Sequence, residues 1–375
     1  MLEKSKKVLI FTTAFRPLLG GSEIAIEEIC KRLNDFSFEI LTPRYKKSFP
    51  ADEHRGNICI HRLGLGNKLD KFLFPLRGML KGRAMLRRGE VKLLHAYQAS
   101  YGGGAAVLLK IFNPRKKFIL TLQEGKSLAR QNRFIKFFRN FILKRADTIT
   151  AISNHLKEYA RDINREAELF LIPNGVDFKK FYAARSVDRQ QLGLKESDEI
   201  IITVSRLVSK NGIADLIKAM VRAKAEIPEL KLIIIGSGPL ETELKNLTRE
   251  LNVRNDVLFL GAKEYEEIPH YLKSADMFVR PSLSEGLGTA FIEALAAGLP
   301  IVGTPVGGVV DFLKNDETGL FCETGNPKDI AEKIISILSN RELRERLIKN
   351  GLELAQKYDW RYMAEKFRQI YLSPH

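Results

Sequence analysis

Cysteine is scarce in this chain, with three residues among 375: Cys30, Cys59 and Cys322. Their number is odd and their spacing is wide, which excludes the disulfide framework of a small secreted domain. Reduced thiols, as in a cytosolic protein, are therefore expected. The opening residues MLEKSKKVLIFTT combine scattered charges with a short apolar run. They predict a first buried strand and no secretory signal peptide.

Long uncharged runs are also scarce. The longest spans residues 289–310, where Glu293 is the only charged residue. Its length would suffice to cross a bilayer, but Pro300, Pro305 and four glycines interrupt it, which excludes a transmembrane helix there. Hydrophobic residues still make up 45% of the chain, enough for two domains that each bury a core.

Acidic residues are in short supply only in the first half. Residues 1–180 contain 35 Lys and Arg against 17 Asp and Glu, a net charge of +18, whereas the remainder carries −2. Such a local excess favours nucleic acid, an anionic membrane or a phosphorylated substrate as partner. No recognition helix or aromatic stacking module accompanies the charge, so nucleic acid is the least favoured of the three.

Short β-rich apolar runs alternate with longer amphipathic runs, in two successive series. The first series is KVLIFTT, FEILTP, NICIHRL, VKLLHA, KFILTL, TITAIS and LFLIPN; the second is EIIITVSRL, LKLIIIGSG, DVLFLG, DMFVRPS, LPIVGT and GLFCE. This alternation predicts an α/β fold with two Rossmann-like domains, residues 1–180 and 181–356. Ligands would bind at the carboxyl ends of the strands. The polar segment DFKKFYAARSVDRQQLGLKESDE separates the series and is expected to contain some helix.

The stretch SEGLGTAFIEALAAG places two carboxylates after the predicted strand DMFVRPS. Glu285 lies in a glycine-rich loop, and Glu293 lies in the following helix. Gly286 and Gly288 permit close backbone approach, and the unpaired N–H groups of the helix start suit a phosphate. Carboxylates accept hydrogen bonds from hydroxyls, so the stretch indicates a ligand such as a nucleotide sugar.

The same residues also allow a structural interpretation. Glu285 would then be a partner of the helix dipole, and Glu293 a polar residue on an exposed face. The neighbours of Glu293 in TAFIEALAAG are apolar all round, which favours burial of its carboxylate and hence the presence of partners.

The stretch resembles the E-x7-E signature of the family-4 retaining glycosyltransferases. Their fold, GT-B, has two facing Rossmann-like domains with a cleft between them. Other segments resemble the same family: VSRLVSKNGIADLIKA its donor-binding Arg–Lys segment, LIIIGSGPLETEL its glycine turn, PLLGGSEIAIEEICKRL its N-terminal glycine loop, and YDWRYMAEKFRQIYL its C-terminal helix. The resemblance covers nearly the whole chain. It implies that the final helix, residues 357–375, crosses back onto the first domain.

The resemblance also implies a role for each matching residue. Glu285 would contact hydroxyls of the transferred sugar, and Arg206 would neutralise the donor diphosphate, with Lys210 as a further catalytic candidate. Glu293 would hold the ribose. The other donor-binding candidates are backbone positions in the glycine-containing segments: Gly20, Gly21, Gly236, Gly238, Gly286, Leu287, Gly288 and Thr289.

Two positions depart from the family pattern. The family often has Arg-x4-Lys-Gly, whereas here Asn211 precedes Gly212 and the lysine is Lys210. Many members also carry a histidine after the strand that corresponds to KFILTL, where this chain has Gln123 and Glu124. Those two residues and His95 on the preceding strand are the acceptor-side candidates. A lone histidine at a strand end is more often structural.

Metal and dinucleotide sites receive little support. GSGPLE has Glu241 where G-x-G-x-x-G requires its third glycine. His54, Cys59 and His61 lie close in sequence, but no fourth ligand follows at a recognised spacing. No metal and no cofactor are expected, because the nucleotide sugar would be a substrate.

The basic stretch RFIKFFRNFILKRA has two interpretations. It predicts an amphipathic helix with one mainly apolar stripe, widened by Phe137, and one mainly cationic side. The stripe contains Phe134, Ile135, Phe138, Phe141, Ile142 and Arg145, and the other side contains Arg133, Lys136, Arg139, Asn140 and Lys144. Such a helix either faces the core and exposes its cations, or lies on an anionic membrane. The equally basic KLDKFLFPLRGMLKGRAMLRR upstream supports the membrane alternative.

The residues and the family resemblance together imply a metal-independent retaining glycosyltransferase. It would move a sugar from a nucleotide-diphosphate-sugar to a hydroxyl of a glycan or lipid-linked acceptor. A cytoplasmic location, with peripheral association at the inner face of the membrane, is expected. The alternatives are a sugar-nucleotide epimerase of the same fold and a non-catalytic protein that binds a membrane or polysaccharide.

Overall fold

The structure, a computed structural model, describes residues 6–18, 20–89, 91–124 and 132–374. Residues 1–5 of the predicted first domain and residue 375 of the predicted last helix lie outside the described residues. The chain divides into two compact units, Met1–Asn174 with Trp360–His375, and Gly175–Asp359.

The first unit is built on one sheet. Its elements are β1 (Lys6–Phe11), α1 (Gly21–Arg32), β2 (Phe36–Pro43), β3 (Asp52–Arg55), β4 (Ile58–Leu63), α2 (Asp70–Arg87), β5 (Val91–Tyr97), α3 (Tyr101–Phe112), β6 (Lys117–Leu122), α4 (Arg133–Leu143), β7 (Thr148–Ala151), α5 (Asn154–Ile163) and β8 (Glu168–Leu171). The strand order is β3-β4-β2-β1-β5-β6-β7-β8. All pairs are parallel except β3 with β4.

The seven predicted strands of the first series are confirmed, and their apolar runs explain why. In β1, Val8 to Phe11 are buried, as expected for a strand covered on both faces. The short strand β3 was not predicted, because its residues DEHR are charged and mostly exposed, which gives no apolar pattern.

The second unit is also built on one parallel sheet. Its elements are α6 (Phe178–Tyr182), β9 (Glu199–Val204), α7 (Ile213–Glu226), β10 (Leu230–Ile235), α8 (Glu241–Glu250), β11 (Val257–Gly261), α9 (Ile268–Lys273), β12 (Met277–Arg280), α10 (Thr289–Ala296), β13 (Ile301–Gly303), β14 (Leu320–Phe321), α11 (Pro327–Ser339) and α12 (Arg341–Lys357). The strand order is β11-β10-β9-β12-β13-β14, the doubly wound Rossmann order. The order reverses between β9 and β12. The predicted polar segment contains helix, as expected: α6 and a 3₁₀ turn at Gln190–Leu192.

The last helix, α13 (Trp360–Leu372), packs with the first unit. Its buried stripe includes Trp360, Met363 and Phe367, which join the core formed by α1, β1 and β2. Lys117 at the start of β6 fixes the end of this helix, because its Nζ donates to the carbonyl oxygens of Ile370 at 3.2 Å and Ser373 at 3.3 Å.

Helix α4 differs from the core-facing interpretation. Ile142 and Leu143 are buried, but Phe134, on the predicted apolar side, is 69% exposed. Arg139, which was placed on the cationic side, is only 7% exposed, so that prediction is wrong. The helix packs through its second half, and its first half lies open to solvent. None of the described helices is both long and apolar enough to span a membrane.

Candidate functional site

The loops after β9 and β12 lie side by side at the reversal point of the second sheet. β9 leads into the segment with Arg206 and Lys210, and β12 ends at Arg280 and leads into the loop with Glu285. Ligands of doubly wound sheets bind at this point, beyond the carboxyl ends of the strands. The topology thus brings the predicted catalytic residues of the second unit together.

Glu285 is a buried carboxylate with several partners. It is 9% exposed. Its Oε1 accepts hydrogen bonds from Arg280 Nη2 and from Ser282 Oγ, the latter at 3.0 Å. Its Oε2 lies 3.8 Å from Lys210 Nζ. These partners offset the cost of burying the charge and fix the direction of the carboxylate.

Arg280 was not predicted as a site residue, yet it connects both loops. The residue is 8% exposed, and its guanidinium also reaches Asn211 Oδ1 at 3.4 Å and the carbonyl oxygen of Val204 at 3.5 Å. No motif spacing singled it out. The signal that could have found it is a charged residue at the end of the otherwise apolar strand MFVR.

Asn211, the departure from the family pattern, is part of the same network. It is 2% exposed, and its Nδ2 donates to the carbonyl oxygen of Arg206 at 2.7 Å. Because its Oδ1 accepts from Arg280, the asparagine joins the Arg206 turn to the Glu285 loop. A lysine at this position would add a further cation to Arg280 and Lys210.

The two predicted cations differ in exposure. The side chain of Arg206 is exposed in the turn after β9. Lys210 is half-buried, and its Nζ donates to the carbonyl oxygen of Ser284 at 3.3 Å. Burial lowers the pKa of Lys210, and the charges of Arg280 and Arg206 act in the same direction, whereas Glu285 opposes them.

The backbone geometry at the start of α10 leaves its first N–H groups available to a ligand. Gly288 precedes this helix with φ +86°, and within the described residues no side chain caps the helix start. Its first N–H groups therefore face the loop, as in phosphate sites. Thr289 is half-buried at the first helical position, and Gly286 and Leu287 are buried beside it.

A close backbone contact at Gly307 fixes the Glu285 loop. Gly307 has φ +55°, and a Cβ there would lie 1.9 Å from the carbonyl oxygen of Glu285, so only glycine fits. The neighbouring Gly308 N donates to the carbonyl oxygen of Gly286 at 3.1 Å. The predicted glycines Gly236 and Gly238 follow β10 and pack against the backbone of the Arg206 turn.

Glu293 lies in α10 and is 7% exposed. Burial raises the pKa of Glu293 to about 7, although a hydrogen bond from Tyr265 and the charges of Arg280 and Lys180 act against the rise. Its carboxyl group therefore keeps its proton to a higher pH than an ordinary glutamic acid does. The exposed-face alternative for Glu293 is wrong, because the residue is buried.

In the first unit, the predicted glycine loop leads into α1. Gly20 precedes the helix, Gly21 opens it, and both are exposed. Glu23 in the first turn is buried and accepts a hydrogen bond from Ser22 Oγ at 2.8 Å. Burial raises the pKa of Glu23 above its ordinary value. This carboxyl group was not among the predicted site residues.

The acceptor-side candidates Gln123 and Glu124 follow the carboxyl end of β6. The amides of Gln123 and Asn174 pair reciprocally: Gln123 Nε2 donates to Asn174 Oδ1 at 2.8 Å, and Asn174 Nδ2 donates to Gln123 Oε1 at 2.9 Å. The Glu124 carboxylate accepts from Ala99 N and Gln123 N, each at 2.9 Å. Gln123 and Asn174 thus form a fixed amide pair, with polar atoms suited to hydroxyl groups.

His95, the third acceptor-side candidate, lies inside the core. It is 0% exposed, its Nδ1 lies 2.8 Å from Tyr371 Oη, and its Nε2 lies 2.7 Å from Thr121 Oγ1. Burial lowers the pKa of His95 to about 3, so the ring is neutral. This placement is structural, as lone strand-end histidines usually are, and excludes contact with an acceptor.

The histidines and cysteine of the β3–β4 hairpin do not form a metal site. Cys59 Sγ lies 3.0 Å from His54 Nδ1, whereas His61 contacts Glu39 and Asp52 instead. Among residues 6–18, 20–89, 91–124 and 132–374, no group of three or more His, Cys, Asp or Glu side chains is arranged to hold a metal ion.

Comparisons with known proteins cover both halves of the chain. Residues 184–354 match the family model described as "Glycosyl transferases group 1", and residues 19–180 match that described as "Glycosyltransferase Family 4". The chain is 27% identical over 367 residues to the uncharacterized glycosyltransferase MJ1178 of Methanocaldococcus jannaschii, and the match covers 97% of each chain.

A second relative matches part of the chain at higher identity. The GDP-mannose-dependent monoacylated alpha-(1-6)-phosphatidylinositol monomannoside mannosyltransferase of Corynebacterium glutamicum is 31% identical over 237 residues, 60% of this chain and 61% of the relative. Among solved structures, Anabaena Alr3699/HepE in complex with UDP and glucose has a TM-score of 0.80 at 18% identity and covers 97% of this chain and 99% of its own. This likeness shows the fold. With both halves matched in order and a doubly wound site in the second unit, the chain is a glycosyltransferase of the GT-B fold and belongs to family 4, the group 1 glycosyltransferases.

Proposed function

We propose that this glycosyltransferase is retaining and moves a sugar from a nucleotide-diphosphate-sugar to a hydroxyl of a glycan or lipid-linked acceptor. The observation that carries the proposal is the position of Glu285. Its carboxylate is held by Arg280 and Ser282 beside the uncapped start of α10. A hydroxyl-binding carboxylate next to a phosphate-binding helix start is complementary to a sugar joined to a diphosphate.

The donor roles follow from the second unit. Glu285 positions hydroxyls of the transferred sugar, and Arg206 with the first amides of α10 binds the diphosphate. Glu293 accepts hydrogen bonds from the ribose. Among the similar proteins named above, one was solved in complex with UDP and glucose, and another is described as GDP-mannose-dependent. The nucleotide base is therefore the first property to measure.

The chemistry needs no protein nucleophile. The bond between the anomeric carbon and the diphosphate oxygen breaks, and the acceptor oxygen forms its bond on the same face of the sugar. The departing diphosphate takes the proton of the acceptor hydroxyl. Arg206 and the α10 amides stabilise the negative charge that grows on the diphosphate, and this preorganised stabilisation lowers the barrier. The nucleotide sugar is a substrate, and no metal ion takes part in this scheme.

The acceptor belongs to the first unit in this proposal. Gln123 and Asn174 offer amide donors and acceptors in place of the histidine that many family members have, and Glu124 holds their turn in place. His95 is left out because it is buried. The strong positive charge of this half favours an acceptor that is presented at an anionic membrane, so we assign a cytoplasmic protein that associates peripherally with that surface.

A thermal-shift panel tests the donor site. Purified protein is heated with UDP, GDP, ADP, NAD and the corresponding nucleotide sugars, and the panel is repeated for Glu293→Ala. A ligand at one hundred times its dissociation constant stabilises the fold by about 2.7 kcal/mol, which such a scan detects. Stabilisation by one nucleoside diphosphate, reduced in the variant, supports the site. Stabilisation by NAD alone, or an equal shift in the variant, contradicts it.

A further inference from the structure

Helix α2 carries an exposed apolar stripe. Leu69, just before the helix, and Phe72, Leu73, Leu76 and Leu80 are each 50–66% exposed. Their spacing of three and four residues places them on one face of the helix. The opposite face is occupied, because Phe74, Gly78 and Gly82 are buried.

Helix α4 carries a second exposed apolar group in its first half. Phe134, Ile135, Phe137 and Phe138 are 50–69% exposed, and the rings of Phe134 and Phe138 contact each other with centroids 5.5 Å apart. These residues and the α2 stripe together are called the docking surface below. In the second unit, exposed aliphatic residues such as Val221, Leu283 and Val310 belong to separate elements or loops.

Both parts of the docking surface flank the start of α3. Helix α3 lies close to both: a Cβ at Gly103 would be 3.0 Å from Ile142 of α4, and a Cβ at the adjacent Gly104 would be 3.6 Å from Pro75 of α2. The ring of Phe72 in α2 packs edge-on against Tyr101, the first residue of α3. Since α3 follows β5 directly, both helices border the carboxyl end of the sheet, where Ala99 also binds Glu124. The docking surface therefore adjoins the side of the first unit to which we assign the acceptor.

The charges around the docking surface are almost all positive. Lys68, Arg133 and Lys136 are exposed, and Lys71 Nζ lies 4.8 Å from the ring centroid of Phe72. Asp70, the one acidic residue of α2, is buried and paired with Arg77. The sequence has no Asp or Glu in residues 71–89 or 132–146. A partner must therefore combine an apolar layer with negative charge.

We propose that the docking surface inserts into the interface of an anionic lipid bilayer. Apolar side chains rimmed by Lys and Arg match the boundary between acyl chains and negative headgroups. A protein partner would have to offer an apolar surface ringed only by carboxylates. The inference names the membrane partner of the proposed glycosyltransferase, and it depends on the proposed function only for the place of the acceptor.

Vesicle flotation tests the inference with the full chain. Binding is measured to phosphatidylcholine vesicles with and without phosphatidylglycerol, at low and high salt. Each basic residue near such a surface contributes about 1 kcal/mol. The variant Lys68→Gln/Lys71→Gln should therefore bind anionic vesicles at least tenfold more weakly, as should Leu73→Ser/Leu76→Ser and Phe134→Ser/Phe137→Ser. The matched control Val221→Ser/Val310→Ser, in the second unit, should bind like the wild type.

A failure of membrane binding can be distinguished from a failure of the donor site. Each variant should keep the nucleotide thermal shift of the wild type, which shows that it is folded and that the donor site is intact. Binding to neutral vesicles as strong as to anionic ones, or binding that all variants retain, would overturn the inference. A concentration-dependent dimer in analytical ultracentrifugation would also overturn the inference if the apolar variants abolish it. In that case a second copy of the chain would cover the docking surface.

Discussion

Arg280 and Glu285, five residues apart, form a buried ion pair at the end of β12. The side chains are 10% and 6% exposed, and the guanidinium also binds Asn211 from the neighbouring loop. The carboxylate is thus oriented by a residue that the family signature does not include. The direction of Glu285 therefore depends on Arg280, and in the proposed function so does the position of the donor sugar.

Replacing Arg280 should remove the ion pair that orients Glu285. Arg280→Met leaves a buried carboxylate without its main partner, and breaking a buried pair costs about 3–5 kcal/mol. We expect a lower midpoint of thermal unfolding and a large loss of turnover. The double variant Arg280→Met/Glu285→Gln should recover stability without activity. The control Arg222→Met breaks an exposed pair with Glu332 and should change stability by less than about 1 kcal/mol. Equal losses of stability and turnover in Arg280→Met and in the control Arg222→Met would contradict the proposed role of Arg280.

Glu285 should act on turnover and not on nucleotide binding. In the proposed function, Glu285→Ala removes contacts to the transferred sugar, while Arg206 and the start of α10 still bind the diphosphate. We expect kcat to fall by about a hundredfold or more, as when a key electrostatic group is removed from an active site. The dissociation constant for the free nucleoside diphosphate, measured by calorimetry, should stay nearly unchanged. A comparable loss of nucleotide binding would refute this role.

Arg206 should discriminate between ligands with and without phosphate. Its exposed guanidinium suits bidentate binding of a diphosphate. Arg206→Ala should weaken the nucleoside diphosphate by about ten- to a hundredfold and the nucleoside little. Calorimetric titration with both ligands measures the difference, and Arg341→Ala, an exposed arginine of α12, is the control. If nucleoside and diphosphate lose affinity equally, Arg206 is structural.

Glu293 should make stability depend on pH. Its pKa is raised by burial from 4.5 to about 7. The folded state therefore holds a proton that the unfolded state has lost between these values, and stability falls as pH rises from about 4.5 to 7. The difference corresponds to roughly 3 kcal/mol. Glu293→Gln should remove this decline, which chemical denaturation at several pH values will show. An unchanged pH profile in the variant would assign the decline to other groups.

The amide pair should act as a unit in acceptor binding. Gln123→Ala and Asn174→Ala should each raise the KM for the acceptor, and the double variant should add little, because each single change already breaks the pair. The KM for the donor should not change. Gln190→Ala, an exposed residue of the second unit, is the control. Additive effects of the two single variants would show that the amides act separately.

Much of the fold was predictable from the sequence because its signals are local. Apolar runs of strand length, alternating with amphipathic stretches, predicted every strand of both sheets except the charged β3. The segment around Glu285 and Glu293 predicted a loop followed by a buried helix, since glycines and apolar neighbours determine those structures over a few residues.

Only the tertiary structure decided which partners each side chain meets. Gln123 and Asn174 are separated by 51 positions, Asn211 and Arg280 by 69, and His95 and Tyr371 by 276. No local pattern encodes such contacts, because they depend on the strand order and on the return of α13. Likewise, the amphipathic pattern of α4 could not show which of its residues pack, since periodicity identifies an apolar face and tertiary contacts decide whether another element covers it.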